Sequence, residues 1–359
     1  MSLKITTKLV EESNISSFDP ENIVFGRVFT DHMFSCDFRN NEWQDFRIEP
    51  FGKIHLSPTL SALHYGQAIF EGMKAVKNTD GVITLFRPIE NLKRLNHSAE
   101  RMCMPELPEE IFMQALEKLL LIDKDWIPTK RGSSLYIRPF MFATDDFLGV
   151  KPSENYCFMI YGCPVNSYYS HPLKVRIEEK YTRASKGGVG AAKCAGNYAA
   201  SMYPTKLAQQ QGFDQVLWTD GEHHQYLEET GTSNVFVITE DAVYTPQLND
   251  SLLAGITRDS IIQLLRSKGK NVIEKLVSVT ELIQWQEKGE LKEMFVTGTA
   301  ATVTNIEMFS YLDKKYEVNA HENLLSTEII NELNDLKTLI TPDKFDWITI
   351  LQEPKMVTQ

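Results

Sequence analysis

Apolar positions along the chain switch between a period of two and a period near 3.6, with no internal repeat. After the strand-like VITLF, the stretch Asn91 to Met102 puts Leu92, Leu95, Ala99 and Met102 on one face of a predicted helix, with Arg94 off that face. Pro108 predicts the start of a second helix, since its fixed φ and missing N–H suit a first turn; Ile111, Ala115, Leu119 and Ile122 line up behind it. NYCFMIYG and LYIRPFMF, Leu135 to Phe142, predict strands. The segment CPVNSYYSHP, residues 163–172, interrupts the pattern, and LKVRIEE resumes it with Leu173, Val175 and Ile177 alternating with polar residues. Short β runs follow in DQVLWTDG, SNVFVITE and AVYTP, and Gly255 opens a helix carrying Ile261, Leu264 and Leu265. Ser278 and Glu281 have capping-box spacing ahead of LIQWQ, and KEMFVTG predicts a buried strand ending in a glycine turn.

Because the strands come in clusters rather than in regular βαβ alternation, the predicted class is α+β with mixed sheets. The break at 163–172 predicts a linker between a smaller N-terminal domain, 1–162, and a larger C-terminal domain, 173–359. A chain of 359 residues has room for two cores.

Composition narrows the function. With 42% hydrophobic and 24% charged residues, the chain reads as an ordinary globular protein. Its 37 Lys+Arg against 48 Asp+Glu give a net charge of −11 with no basic block, which argues against nucleic-acid binding. The longest apolar run, Tyr156 to Tyr161, is far too short for a membrane span, and MSLKITTKLVEES has no apolar leader core. The expectation is a soluble cytoplasmic protein. Cys36, Cys103, Cys157, Cys163 and Cys194 are odd in number and contain no CxxC pair, so they are expected to be mostly buried small residues. The eight histidines show no HxH or HExxH pattern, and no metal site is expected.

The most unusual stretch is SKGGVGAAKCAGNYAAS, Ser185 to Ser201. Lys193 has no acidic neighbour within nine residues on either side, which a solvated surface lysine does not explain. A P-loop fails because Cys194 stands where Ser or Thr is needed, and a dinucleotide fingerprint fails because Lys193 stands where a third glycine is needed. Two readings stay open on spacing alone: a glycine-rich turn, or a lysine suited to Schiff-base chemistry with an aldehyde cofactor.

The motifs FGRVFTDHMF, LHYGQAIFEGMKA, LFRPIENLKRL, LYIRPFM, FLGVKPS, GGVGAAKCAGNY, EETGTSNVF, LLAGITRDS and VTGTAATV run through nearly the whole chain. In content, order and spacing they resemble the branched-chain amino acid aminotransferases, pyridoxal-phosphate enzymes of fold type IV. The resemblance implies two mixed domains with the cofactor site between them. It also implies transamination of L-leucine, L-isoleucine and L-valine with 2-oxoglutarate by a two-stage Schiff-base mechanism. The family's cofactor lysine falls on Lys193, which then moves the proton as general acid and base. Glu229 in EETGTSN would face the pyridine nitrogen, and its neighbour Glu228 would point to the other side of a strand. Either glutamate alone reads as a solvent-facing residue. Tyr198 would bond the ring hydroxyl. Arg94, together with Ile256, Thr257 and Thr299, would hold the phosphate, the first two of these three through backbone N–H groups at a helix N-terminus. On periodicity alone Arg94 reads as solvated.

The same resemblance assigns the side-chain pocket to Phe25, Tyr65, Phe70, Tyr136 and Tyr168, with Thr232 nearby. Arg138 would take the glutamate side-chain carboxylate, and as i and i+2 on one strand Tyr136 and Arg138 share a face. The substrate α-carboxylate would meet Thr299 and Ala300. Leu148 and Val150 match a loop that reaches a neighbouring subunit, which implies a homodimer. The chain departs from the family in carrying Ala195 at a position usually glycine, and Ala301, Thr302, Val303 and Thr304 where mammalian members have a redox CxxC. The rival readings are a D-amino acid aminotransferase or aminodeoxychorismate lyase on the same scaffold, and a non-catalytic cofactor carrier. The long N-terminal segment and the LYIRP and FLGV pieces argue against the first two, and the substrate groups against the third.

Overall fold

The computed structural model describes residues 3–20, 22–166, 171–318 and 324–351. The chain divides into two compact units, Met1–Ser167 with Leu333–Gln359, and Tyr168–Glu332.

The first unit contains strands β1 (Thr6–Thr7), β2 (His32–Arg39), β3 (Glu42–Pro50), β4 (Ala68–Phe70), β5 (Met73–Lys77), β6 (Ile83–Phe86), β7 (Ser134–Ala143) and β8 (Tyr156–Val165). Its helices are α1 (Ser61–Tyr65), α2 (Pro88–Arg101) and α3 (Glu109–Ile122). The strands run in the order β1-β3-β2-β8-β7-β5-β6, with β4 beside β7. β7 and β8 are antiparallel along their whole length, from Ser134 opposite Val165 to Ala143 opposite Tyr156. The faces expected to be apolar are the buried ones: Leu92, Leu95 and Ala99 on α2, and Ile111, Ala115 and Leu119 on α3. Each such leucine or isoleucine contributes ~1.5–3 kcal/mol by leaving water, and each alanine about half that or less. Met102 and Ile122, at the ends of these stripes, are half-buried.

The second unit holds β9 (Leu173–Ile177), β10 (Gln215–Thr219), β11 (Leu227–Thr230), β12 (Asn234–Thr239), β13 (Val243–Pro246), β14 (Val272–Lys275), β15 (Leu291–Gly298), β16 (Thr302–Tyr311) and β17 (Lys314–Glu317). Helices α4 (Ala195–Gln210), α5 (Ile256–Ser267) and α6 (Val279–Glu287) accompany them. The order is β11-β10-β9-β16-β15-β12-β13-β14, and a further β11–β12 pairing closes the strands from β11 round to β12 into a ring. β9 is parallel to both its neighbours while β15 is antiparallel to both of its own, so the sheet is mixed. Leu173, Val175 and Ile177 meet Val235, Val237, Met294, Val296 and Phe309 in its core. The capping box forms as expected: the Glu281 N–H donates to Ser278 Oγ, and the Ser278 N–H to the Glu281 carboxylate. Among the described residues no helix is long and apolar enough to cross a membrane.

Two boundaries differ from the sequence reading. β8 runs on through Val165, with Pro164 still opposite Leu135, so the strand continues into the stretch expected to be a linker from Cys163. The last segment returns to the first unit rather than staying with the second. After α7 (Leu325–Lys337), β18 (Ile348–Leu351) pairs antiparallel with β6, and the Thr84 hydroxyl donates to the Lys337 carbonyl at 2.6 Å. No local pattern signals this, because the partner strand lies far upstream. Helix α4 was also not expected. It buries only Asn197, Pro204 and Ala208, so no apolar stripe marks it in the sequence.

Candidate active site

Lys193 sits immediately ahead of α4, and Tyr198 lies one turn into that helix. The Asn197 side-chain amide donates to the carbonyls of Val189 and Ala192, at 2.8 and 2.9 Å, folding the glycine-rich loop back over the helix start. In that arrangement Lys193 Nζ donates to Tyr198 Oη at 2.8 Å. Gly190 is required by close approach: a Cβ there would stand 2.5 Å from Ser251 Cα and 2.6 Å from Ala184 Cβ.

Glu229 is buried on β11 opposite Asn234, at the pairing that closes the ring. Its Oε1 lies 2.9 Å from Arg183 Nη1, and Asn234 Nδ2 donates to its Oε2 at 3.2 Å. Both side chains of the Arg183–Glu229 pair are 4% exposed, so this is a buried ion pair of the kind that is costly to break from one side. Glu228 is buried as well, so the solvent-facing reading of either glutamate does not hold.

α5 begins at Gly255 with no side chain capping it, leaving the first N–H groups of the helix, those of Ile256 and Thr257, available to an anion. A Cβ at Gly255 would lie 2.0 Å from Asn234 Oδ1, which explains glycine at the turn. Gly298, at the end of β15, packs against the Thr232–Ser233 turn. The Ser233 hydroxyl is buried there without a hydrogen-bond partner among the described residues. Thr299 and Ala300 follow, half-buried. An uncapped helix N-terminus and an orphaned hydroxyl are what a phosphate group would satisfy.

In the first unit, Arg94 is not solvated: its side chain is 10% exposed and grips Glu71 with two bonds, Nε to Oε1 at 2.7 Å and Nη2 to Oε2 at 2.9 Å. Asn91 and the Gly72 N–H also donate to Glu71, fixing the direction of the guanidinium. Phe25, Phe70, Tyr136 and Arg138 come together. The Arg138 guanidinium lies over the Phe70 ring at 4.5 Å and donates to Tyr136 Oη at 3.0 Å, while the Phe25 and Tyr136 rings meet edge to face at 5.1 Å. The shared face expected for Tyr136 and Arg138 is thus observed, on an interior strand. The Tyr65 hydroxyl donates to the Leu148 carbonyl, and Leu148 and Val150 are 56% and 86% exposed. Thr232 is exposed in its turn. Tyr168 lies outside the described residues.

Residues 68–308 match the amino-transferase class IV family. The chain is 44% identical over 339 residues to branched-chain-amino-acid aminotransferase 2 of Bacillus subtilis, covering 92% of this chain and 93% of that protein. The chain belongs to the branched-chain amino acid aminotransferases of class IV. A probable branched-chain-amino-acid aminotransferase of Staphylococcus aureus is 44% identical over 91% of this aminotransferase and 93% of its own length. Among solved structures, the Escherichia coli branched-chain amino acid aminotransferase aligns at a TM-score of 0.71 with 25% identity, covering 90% of this chain and 99% of that one. The Thermobaculum terrenum branched-chain amino acid aminotransferase, solved in its PLP-form, shares the fold at a TM-score of 0.74 with 22% identity, covering 90% and 99%. The fold is fold type IV, and the cofactor of this class of enzyme is pyridoxal 5'-phosphate.

Sequence reasoning missed Glu71, Gly72, Asn91, Arg183, Asn197 and Asn234. One signal for Arg183 was present: residues 180–213 contain basic residues and no acid, so their counter-charges have to come from elsewhere in the fold.

Proposed function

We propose that this aminotransferase moves the amino group of L-leucine, L-isoleucine or L-valine to 2-oxoglutarate, giving branched-chain 2-oxo acids and L-glutamate. The observation that carries this is Arg138, a cation laid on Phe70 and bonded to Tyr136. An aliphatic side chain needs apolar walls, and glutamate needs one reachable positive charge; this cluster offers both. Phe25, Tyr65, Phe70 and Tyr136 form the walls in this reading, which also includes Tyr168 and Thr232 on their resemblance to the family motifs.

Bound pyridoxal phosphate supplies the carbonyl that condenses with the amine and the ring that withdraws electrons from Cα. Lys193, oriented by Tyr198, would hold the group at that carbonyl and would move the proton at the substrate Cα. Glu229, backed by Arg183, holds the proton on the ring nitrogen. In this reading Arg94, the N–H groups of Ile256 and Thr257, and Thr299 would hold the phosphate, and Thr299 and Ala300 would hold the α-carboxylate. The exposed apolar loop with Phe147, Leu148 and Val150 supports a homodimer in which that loop meets the partner. Five unpaired cysteines suit the reducing cytoplasm.

The test is the absorbance spectrum of the purified protein with pyridoxal phosphate, before and after L-leucine and, separately, D-alanine. Conversion to the pyridoxamine form by L-leucine alone is expected. Conversion by D-alanine instead would move the enzyme to the D-amino acid branch.

A further inference from the structure

Behind Glu229 lies a polar cluster that the reaction above does not use. Glu228 precedes Glu229 on β11 and so points to the other side of the strand, yet it is buried. Its Oε1 meets Ser251 Oγ, and its Oε2 has no hydrogen-bond partner among the described residues. Ser251 Oγ also lies 2.7 Å from Asn249 Oδ1, and that oxygen is fixed as an acceptor because the Ser251 N–H donates to it at 2.8 Å. A hydroxyl has one proton to donate. If Glu228 were ionised, one of the two contacts would join two oxygens with no proton between them. A proton on Glu228 resolves this: the carboxylic acid donates to Ser251 Oγ, which donates to Asn249 Oδ1.

The charges around it agree. Glu228 faces the carboxylates of Glu229 and Asp220 and one guanidinium, Arg183, which is already bonded to Glu229 at 2.9 Å. Burial pushes the Glu228 carboxyl up to about 7, outweighing the contact with Ser251, which lowers it; the Glu229 and Asp220 carboxylates add to the rise and Arg183 opposes it.

We infer that Glu228 is carried as a neutral carboxylic acid and is a positioning residue for Glu229, acting through Ser251 and Arg183. The path is continuous. The Ser251 carbonyl accepts from Arg183 Nη1 at 2.8 Å, and the same guanidinium nitrogen meets Glu229. Ser251 Cα also presses on Gly190, three residues ahead of Lys193. Loss of the Glu228 proton adds a second negative charge beside a single guanidinium and undoes the hold on Ser251. This deepens the reading of Glu229 as the partner of the ring nitrogen and rests on it.

The test compares the wild-type holoenzyme with Glu228→Gln, whose amide can donate to Ser251 in place of the acid and has no proton to lose. Melting temperature and the bound-cofactor absorbance band are followed across neutral pH. The folded-state pKa lies above the ordinary glutamate value of 4.5, so its stabilisation is fully present below that value and is lost as pH rises from there to about 7, and the melting scan therefore starts at acid pH. The wild type is expected to lose melting temperature over that window, with a shift in the cofactor band. Glu228→Gln is expected to bind cofactor and show neither change. An identical pH step in the variant overturns the inference. Should the variant not fold, pH-difference infrared spectroscopy of the wild type decides: a protonated-carboxyl band fading through neutrality supports the inference, and its absence overturns it. If the protein shows no cofactor band at any pH while the melting step persists, it is the reading of Glu229 that falls.

Discussion

Gly72 lies beneath the hydroxyl of Tyr136, and replacing it with alanine tests how the pocket is built. The new Cβ would stand 2.2 Å from Tyr136 Oη and 2.9 Å from its Cζ. Restoring ordinary contact at 3.4 Å requires the hydroxyl to retreat by 3.4 − 2.2 = 1.2 Å. Tyr136 is only 6% exposed, sits between β5 and β8, and is edged by Phe25, so the retreat strains packed neighbours. Overpacking of this kind costs about 1–3 kcal/mol of stability. The same movement breaks the 3.0 Å bond from Arg138 and misplaces the pair that we propose receives the glutamate carboxylate. A hydrogen bond to a charged group contributes about 1.5–3 kcal/mol, so kcat/KM for glutamate should fall roughly 10- to 150-fold. Leucine, with no second carboxylate, should lose less than about tenfold by the same arithmetic. The assay is single-turnover kinetics with each amino acid, beside urea unfolding. Adding Tyr136→Phe removes the atom in closest conflict, leaving the ring carbon at 2.9 Å, and should recover part of the stability without recovering glutamate. Wild-type stability together with an unchanged leucine-to-glutamate ratio in Gly72→Ala would refute the reasoning.

Lys193→Ala should lose turnover and the lysine-linked cofactor absorbance while leaving the melting temperature of the cofactor-free protein nearly unchanged; a turning-over variant, by stopped assay, removes the lysine from the mechanism. Arg138→Ala should reduce kcat/KM for glutamate at least about tenfold more than for leucine, since on the proposed assignment it deletes a charge-assisted contact that only glutamate uses. Equal losses would make its role structural. Ser278→Ala should cost ~1 kcal/mol in urea unfolding, as the N-cap of α6 is lost, with kinetics unaltered.

Much of the fold was legible because local patterns have local causes. The stripes of α2, α3 and α5, the strand alternation at Leu173, Val175 and Ile177, and the Ser278–Glu281 cap each depend on residues within a few positions of one another. The resemblance of the motifs to the family singled out Lys193, Glu229 and Arg94, and nothing in composition or period could have separated Glu228 from Glu229.

What only the tertiary structure decided was the pairing of charges and the return of the chain. Arg94 reads as solvated on its helix and is in fact largely shielded from solvent, because Glu71 comes from another segment to meet it. Arg183 and Glu229 form their ion pair from separate segments, and β18 finds β6 across most of the chain length. Gly72 and Gly190 are ordinary glycines in sequence, and a larger residue becomes costly at either once Tyr136 and Ser251 are folded against them. Burying a charge is tolerable only beside its partner, and close packing is a relation between distant backbones. Neither condition leaves a mark in the periodicity of a single stretch of sequence.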